Sequence, residues 1–431
     1  MKIKIIGAGL AGCEAALYLA GRGVDVELHD IKPKAFTPAH TDKNFAELVC
    51  SNSLKGKDAF SNACGLLKEE MRVFGSIMLE AAEKTSVPAG GALAVERQRF
   101  AQYITDKIKS NKYITTVCGE VTCVPEEWCI VATGPLTCGA LSEDISRICG
   151  GGLHFYDASA PIVARDSLDF GKCFYGDRYG KGGDDYVNCP MDKEQYERFV
   201  EELANAEKVI LRDFEKREIF EGCMPVEVLA SRGKDSLRFA MLKPVGLKDG
   251  EGKGYYAILQ LRKENSEGTA YNLVGCQTNL KFGEQKRVFS LIPALANAEY
   301  LRYGVMHRNT FINSPQCLNA DFSLKERPTV FFAGQITGVE GYVESAASGL
   351  LAAIHMYQKL NGRQPVIPDA TTVLGALSAH ISSAGGDFQP MNANFGILKS
   401  LENNIRDKKL RYAALAERAL ANIKSYKQEL L

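Results

Sequence analysis

The sequence lacks three features that would assign it quickly to a class of protein. None of its 13 cysteines forms a Cys-x-x-Cys pair, which is a common spacing of zinc ligands, so we expect no metal site. It contains no apolar run long enough to cross a bilayer, so we expect no membrane partner. Its 52 basic and 52 acidic residues cancel, so a nucleic acid would have to bind a local basic patch.

The chain has the length and composition of a globular protein with more than one core. It contains 431 residues, of which 45% are hydrophobic and 24% are charged. A chain of this length usually divides into two domains. A cytosolic chain of this size does not need a disulfide framework, so most cysteines are expected to be small buried apolar groups.

The first strong motif is residues 1–12, MKIKIIGAGLAG. A short isoleucine-rich run predicts a buried strand, and an Ala- and Leu-rich helix follows the G-x-G-x-x-G. Gly7 would allow the tight turn, Gly9 would let a pyrophosphate approach, and Gly12 would let helix and strand pack closely. Alternating apolar residues at 24, 26 and 28 predict the next strand, and Asp30 follows it, where an acid can accept hydrogen bonds from a ribose hydroxyl. An ordinary strand–helix turn is the alternative, but the complete pattern favours dinucleotide binding.

Two later segments have the same strand-then-glycine character. Residues 128–135 form a predicted strand that ends in Ala-Thr-Gly, and residues 328–335 form another that ends in Ala-Gly. A helix with small residues in its first turns is predicted from Gly341 to Leu360. Because the first strand starts at the N-terminus, we expect no cleaved signal peptide and a cytoplasmic location.

Between about residues 137 and 327 the alternation of strands and helices is lost. We therefore predict a discontinuous nucleotide-binding domain, residues 1–136 and 328–431, interrupted by an α+β insertion domain, residues 137–327. Helical spacing also predicts a helix over Asn62–Glu83 and another from Arg97 to about Lys109.

Two cysteines stand apart by their sequence context. Cys50 lies where an apolar run becomes polar, and Cys223 lies in a turn between a glycine and a proline, with acids on both sides. A reactive thiol needs a positive neighbour, a helix N-terminus or a base. The sequence shows no Cys–His pair, so by composition alone each cysteine is more often a core residue than a catalytic one.

Several stretches together resemble the folate- and FAD-dependent tRNA (uracil-5-)-methyltransferase family. They extend from one end of the chain to the other. The stretches are AELVCSNSL (46–54), VPAGGALAV (87–95), FEGCMPV (220–226), KPVGL (243–247), GEQKRVF (283–289), MHRNTFINSP (306–315), FAGQITGVEGYVESAASGL (332–350) and PMNANFG (390–396).

This resemblance implies a fold and a reaction. The fold would be α/β, with a Rossmann-like FAD-binding domain of the two-dinucleotide-binding flavoprotein type. NADPH or NADH would reduce the FAD, and 5,10-methylenetetrahydrofolate would donate a one-carbon unit to carbon 5 of a T-loop uridine in tRNA, giving 5-methyluridine. Cys223 would add to carbon 6 of the uracil. Cys50 would act as a base or in handling the flavin adduct.

The glycine fingerprint and the resemblance together predict a set of cofactor-binding residues. They are Gly7, Ala8, Gly9, Leu10, Ala11, Gly12, Asp30, Gly334, Gln335 and Gly341.

Three alternatives remain open from the sequence. The same chemistry could act on a uridine of 23S ribosomal RNA. A flavin oxidoreductase of a small molecule would need only the glycine fingerprint, and it would leave FEGCMPV without a function. An RNA-binding relative without catalysis is a third, which the intact Cys50 and Cys223 disfavour.

Overall fold

The computed structural model describes residues 2–37, 39–180, 183–209, 224–383 and 388–430, and it excludes the side chains of residues 153–156, 180, 307 and 308. The strands are β1 (Lys2–Ile6), β2 (Asp25–Asp30), β3 (Ser53–Gly56), β4 (Ser86–Val87), β5 (Ala92–Val95), β6 (Ile114–Cys118), β7 (Cys129–Val131), β8 (Gly152–Ala158), β9 (Ile162–Ala164), β10 (Phe174–Tyr175), β11 (Tyr186–Met191), β12 (Ala257–Lys263), β13 (Ala270–Leu273), β14 (Tyr300–Arg302), β15 (Met306–Ile312) and β16 (Val330–Phe332).

The α-helices surround these strands and also form the C-terminal part of the described chain. They are α1 (Leu10–Ala20), α2 (Ala63–Val73), α3 (Ile77–Lys84), α4 (Arg97–Lys109), α5 (Gly139–Ile148), α6 (Lys193–Asn205), α7 (Val226–Ser231), α8 (Ser236–Phe239), α9 (Phe282–Phe289), α10 (Ser314–Cys317), α11 (Tyr342–Leu360), α12 (Val373–Ser383) and α13 (Lys408–Glu429). None of the helices in the described ranges is both long enough and apolar enough to cross a bilayer.

A five-stranded parallel sheet forms the first core. Its order is β6-β2-β1-β7-β16, and every neighbouring pair runs parallel. Ile5 in the central strand pairs with Leu28 on one side and Ile130 on the other. All three side chains are buried, as expected for a parallel sheet covered on both faces. The strand order is that of a Rossmann-like fold, which confirms the predicted fold class.

A six-stranded antiparallel sheet forms a second core. Its order is β10-β11-β12-β13-β9-β14, so all its strands come from the middle of the chain. Phe199 and Phe289 pack together on it with Tyr271, in a hydrophobic cluster separate from the first. β8 and β15 form a separate antiparallel pair. The predicted domain boundaries at residues 136/137 and 327/328 stay a prediction.

The helices agree with the sequence patterns except in one place. α4 begins at Arg97 and ends at Lys109, and α11 follows Gly341 and ends at Leu360, as predicted. The segment Asn62–Glu83 forms two helices instead of one. The chain turns at Gly75, which has a φ of 75°. Residues other than glycine rarely adopt this backbone conformation. The apolar spacing continues through the turn, so the sequence pattern does not reveal the break between the two helices.

Candidate cofactor and active site

The three glycines of the first turn have different surroundings. Gly7 has a φ of 100°, and a Cβ there would lie 2.5 Å from the Ala132 oxygen. A Cβ on Gly12 would lie 1.8 Å from the Gly7 oxygen, so this glycine allows the helix to approach the strand. A Cβ on Gly9 would meet no heavy atom within 4 Å. Gly9 also precedes α1, so free helix N–H groups lie next to the open side of the turn.

The acid predicted from the fingerprint lies against this turn. One Asp30 oxygen accepts a hydrogen bond from the Ala8 amide at 2.8 Å, and the other accepts one from the Lys32 amide at 2.8 Å. The first of these bonds ties the end of β2 to the glycine turn. The carboxylate is therefore held beside the open face at Gly9, where a ribose next to a pyrophosphate would lie.

A cavity opens at this end of the parallel sheet. Its walls come from the glycine turn, the end of β2, the segment after it, the residues after β6 and the segment after β7. The lining residues are Ile6, Gly7, Ala8, Gly9, His29, Asp30, Ile31, Lys32, Thr37, His40, Ala46, Glu47, Gly119, Glu120, Val121, Ala132, Thr133, Leu136, Thr137, Cys138 and Leu141. The open side of Gly9 and the nearby carboxylate fit the phosphate and ribose of a dinucleotide, because each is left accessible to a ligand.

The contact between α1 and α11 involves Leu10, Ala11 and two glycines in the C-terminal part of the chain, Gly334 and Gly349. Leu10 and Ala11 are buried at the start of α1. A Cβ on Gly349 of α11 would lie 2.2 Å from the Ala11 oxygen, so the two helices pack with their backbones close. Gly334 has a φ of 84°, and its amide donates to the Ser348 hydroxyl at 2.7 Å. The sequence-predicted residues of both ends of the chain therefore meet at this helix pair.

Gln335 and Gly341 lie at the turn that leads into α11. The Gln335 side-chain amide donates a hydrogen bond to Glu340. Gly341 has a φ of 117°, and a Cβ there would lie 2.2 Å from a Glu344 carboxylate oxygen. Lys55 pairs with Glu344 at 2.9 Å, and that glutamate side chain is fully buried. The turn is thus a crowded polar segment that requires glycine.

Cys50 lies in a loop between the two cores. Its thiol is 3.7 Å from the Ala158 oxygen at the end of β8. Burial and the Asp157 carboxylate raise the pKa of this thiol well above its usual range, and Arg97 and Arg302 act in the opposite direction. The balance between the thiol and the thiolate form of Cys50 therefore depends on groups from three other parts of the chain.

A second acidic group lies in the same region. Burial raises the pKa of Glu340 to about 8, and the Asp157 carboxylate acts in the same direction, whereas Lys55 opposes it. Near neutral pH this carboxyl would therefore exchange a proton readily. Sequence reasoning missed Glu340 and Tyr342 as site residues, although both stand in the run FAGQITGVEGYVESAASGL that was used for the resemblance.

The predicted nucleophile Cys223 lies outside the described residues. The chain after it is anchored, because Glu227 is buried and accepts hydrogen bonds from the Thr278 hydroxyl and the Asn279 amide, both at 2.8 Å. Glu227 is one of the acids that flank Cys223 in the sequence, and these bonds give it a structural role. The role of Cys223 as the nucleophile stays a prediction.

The glycine turn, the acid and the sheet order define the class: an α/β protein with a Rossmann-like dinucleotide-binding site. Comparison with known proteins identifies the family within this class. A family profile described as glucose inhibited division protein A matches residues 2–364. Proteins named methylenetetrahydrofolate--tRNA-(uracil-5-)-methyltransferase TrmFO are similar over nearly the whole length. The one from Acetivibrio thermocellus is 56% identical over 98% of both chains, and the one from Listeria monocytogenes is 54% identical over 99% of both.

Solved structures agree on the fold. The chain matches Aquifex aeolicus GidA with a TM-score of 0.73 at 15% identity, covering 100% of this chain and 73% of that one. A second crystal form of that protein gives the same TM-score at 16% identity and 76% coverage of its chain. The chain belongs to the glucose inhibited division protein A family and, within it, to the TrmFO methyltransferases, which confirms the family predicted from the sequence motifs.

Proposed function

We propose that the protein is an FAD-dependent methyltransferase that transfers a one-carbon unit from 5,10-methylenetetrahydrofolate to carbon 5 of a uridine in tRNA, giving 5-methyluridine. The observation that carries this proposal is the identity of 54–56% of the aligned residues, over nearly the whole chain, with proteins named for this activity. The favoured uridine is that of the T-loop, and the expected compartment is the cytoplasm.

The parallel sheet would hold the FAD. Gly9 and the start of α1 would face the pyrophosphate, and Asp30 would bind a ribose hydroxyl. The isoalloxazine ring of the flavin would lie near Gly334, Gln335 and Gly341. When bound, FAD would supply reducing electrons that come from NADPH or NADH. It would also carry the one-carbon unit from the folate to the uracil.

The protein's own nucleophile would act on the uracil. The Cys223 thiolate would form a bond to carbon 6, which moves the electron pair of the 5,6 double bond to carbon 5. Carbon 5 then forms its bond to the one-carbon unit. Loss of the carbon 5 proton would expel the group that carried this carbon and leave an exocyclic methylene on carbon 5. Addition of a hydride equivalent, which reduced FAD would supply, would turn the methylene into methyl, restore the 5,6 double bond and break the S–C6 bond, so the thiolate would leave unchanged.

Cys50 is the proposed acceptor of the carbon 5 proton. Its loop lies at the junction of the two cores. Burial and Asp157 hold the pKa of the thiol above its usual range, so the positive charges of Arg97 and Arg302 beside it are needed to favour the thiolate that would accept the proton. A uridine in a folded loop must leave its stack to reach a buried site. The substrate class is therefore an RNA whose target base can be turned out of its loop.

The test is mass-spectrometric nucleoside analysis of unmodified tRNA and ribosomal RNA transcripts, each incubated with the protein, FAD, NADPH and methylenetetrahydrofolate. We expect 5-methyluridine in the tRNA. Product only in the ribosomal RNA would overturn the choice of tRNA. Flavin turnover with no 5-methyluridine in either RNA, and no salt-sensitive tRNA binding, would favour a small-molecule oxidoreductase.

The Cys223→Ala variant tests the nucleophile. We expect it to bind FAD, remain yellow and give no 5-methyluridine, because no bond to carbon 6 can form. Cys123→Ala is the matched control, since Cys123 is an exposed cysteine that does not line the cavity at the glycine turn. A normal methylation rate in Cys223→Ala would contradict the assignment.

A further inference from the structure

The backbone of residues 48–50 is held by arginine side chains. This loop lies outside the sheets, so its carbonyl groups need other partners. Arg97 donates to the Leu48 oxygen at 3.1 Å and to the Cys50 oxygen at 3.4 Å. Arg302 donates to the Val49 oxygen at 2.7 Å. Three successive carbonyls thus accept from guanidinium groups, which are strong and directional donors.

The amide groups of the same loop share a single acceptor. The Tyr342 hydroxyl oxygen accepts from the Cys50 amide at 2.7 Å and from the Ser51 amide at 3.2 Å. Tyr342 is the first residue of α11. The main chain on both sides of the Cys50 side chain is therefore fixed.

The groups that hold the loop come from both cores. Arg97 begins α4, but it is fixed by Glu264, which accepts two bonds from it at 2.9 and 3.2 Å. The Arg97 and Glu264 side chains are only 14% and 8% exposed, so solvent screens their interaction weakly. Arg302 ends β14 of the antiparallel sheet.

The residues after Cys50 are tied to the antiparallel sheet as well. Arg262 in β12 donates to the Asn52 side-chain oxygen at 2.9 Å and to the Ser51 hydroxyl at 3.0 Å. The Asn52 side-chain amide donates to the Lys263 oxygen at 2.9 Å. Three hydrogen bonds therefore join residues 51 and 52 to β12 of the antiparallel sheet.

We propose that Arg97 and Arg302 are positioning residues of the methyl transfer, which hold the Cys50 thiol at the junction of the two cores and place positive charge beside it. This inference rests on the proposed function, because it gives Cys50 a role in that reaction. This role explains why the two guanidinium groups donate to backbone oxygens and do not pair only with carboxylates. Lysine could not replace Arg97, because one ammonium group cannot reach a carboxylate and two carbonyls in fixed directions.

The test is the pH dependence of Cys50 alkylation by iodoacetamide, measured by peptide mass spectrometry in the FAD-loaded Arg97→Lys variant. The groups that face the thiol are Asp157, Arg97, Glu340, Arg302 and Tyr342. Of these, the arginines favour the thiolate. We expect the alkylation midpoint to move to lower pH and the limiting rate to rise, because lysine keeps the positive charge while the loosened loop exposes the thiol, whose burial is the largest cause of its raised pKa. A residue that only stabilises the fold would change the unfolding temperature without moving the midpoint.

Single-turnover methylation of tRNA is the second measurement. We expect Arg97→Lys to slow it by about 100-fold, since a displacement of about 1 Å at a reacting group can have that effect. Glu264→Gln, which keeps the shape but removes the ion pair, should show a weaker change in the same direction. It also serves if Arg97→Lys does not fold. Arg72→Lys is the matched control, because Arg72 on α2 forms exposed ion pairs with Glu69 of the same helix and Glu83 of α3.

An unchanged alkylation midpoint in both Arg97→Lys and Glu264→Gln would overturn the inference. The outcome can be separated from the fate of the proposed function. If the wild-type protein methylates no RNA, the proposed function fails, and the alkylation profile still decides whether the arginines control the Cys50 thiol.

Discussion

The glycine turn and the Cys50 loop are both irregular segments at the ends of strands, but they are built in different ways. The turn is shaped by contacts among neighbouring elements of one core, such as Gly12 against the Gly7 oxygen. The Cys50 loop is held by the side chains of Arg302 and Tyr342, which lie 253 and 292 residues from their loop partners in sequence. Local backbone geometry therefore shapes the glycine turn, and long-range polar contacts fix the loop that carries the Cys50 thiol. A substitution should affect one site without the other.

The largest expected effect comes from Gly12→Ala. Its Cβ would lie 1.8 Å from the Gly7 oxygen, so α1 must move away from β1. We expect a loss of about 3 kcal/mol in the free energy of unfolding, together with loss of bound flavin. Denaturant unfolding and the flavin absorbance after desalting measure the two effects.

Gly9→Ala is the matched control for that substitution. Its Cβ would enter open space, so stability should change by about 1 kcal/mol or less, mainly through the helix cap. Flavin affinity should nevertheless fall, because the methyl group stands where a phosphate would approach. Equal destabilisation by the two variants would contradict the different roles of these glycines.

Tyr342→Phe should have an intermediate effect and should act on the loop alone. It removes the acceptor of the Cys50 and Ser51 amides. Leaving such donors unpaired costs about 2 kcal/mol. We expect faster hydrogen exchange of these two amides and slower methylation, with the exchange of the β1 amides unchanged. Faster exchange throughout the parallel sheet would mean that the two sites are not separable.

The smallest effect concerns a long-range contact inside the parallel-sheet core. Glu70 in α2 accepts from the Val373 and Leu374 amides at the start of α12, both at 2.8 Å. Burial raises the pKa of Glu70 from 4.5 to about 8, against the effect of these bonds. A raised folded-state pKa means that the stabilisation is complete below about pH 4.5 and is lost as the pH rises toward about 8.

Glu70→Gln should therefore flatten the dependence of stability on pH. We expect the wild-type protein to lose on the order of 1 kcal/mol between about pH 6 and pH 8 that the variant does not lose. Denaturant midpoints at a series of pH values measure this. Parallel curves for the two proteins would show that Glu70 is already ionised in the folded state.

Much of the fold follows from patterns in the sequence. The strand–glycine–helix at the N-terminus, the acid at Asp30 and the helices after Arg97 and Gly341 all lie where predicted. These features depend on residues close in sequence, whose spacing reflects burial directly. The two-helix arrangement of Asn62–Glu83 was not predictable in this way, because the apolar spacing continues through the turn at Gly75.

The candidate site was only partly predictable. Cys50 was found from its context and the family resemblance, and the structure places it between two cores beside Arg97. Arg262 and Arg302 were missed, because an arginine in a strand has no local pattern that distinguishes a buried hydrogen-bonding role from an exposed one.

The sequence alone determined the glycine turn of the cofactor site, because a glycine turn between a strand and a helix is specified by residues within one short segment. Only the tertiary structure decided the surroundings of Cys50. Its loop has no regular hydrogen-bond pattern of its own, and its polar groups are satisfied by Arg97, Arg302 and Tyr342 after the two cores have packed together. Such contacts depend on distance in space and leave no periodic trace along the chain.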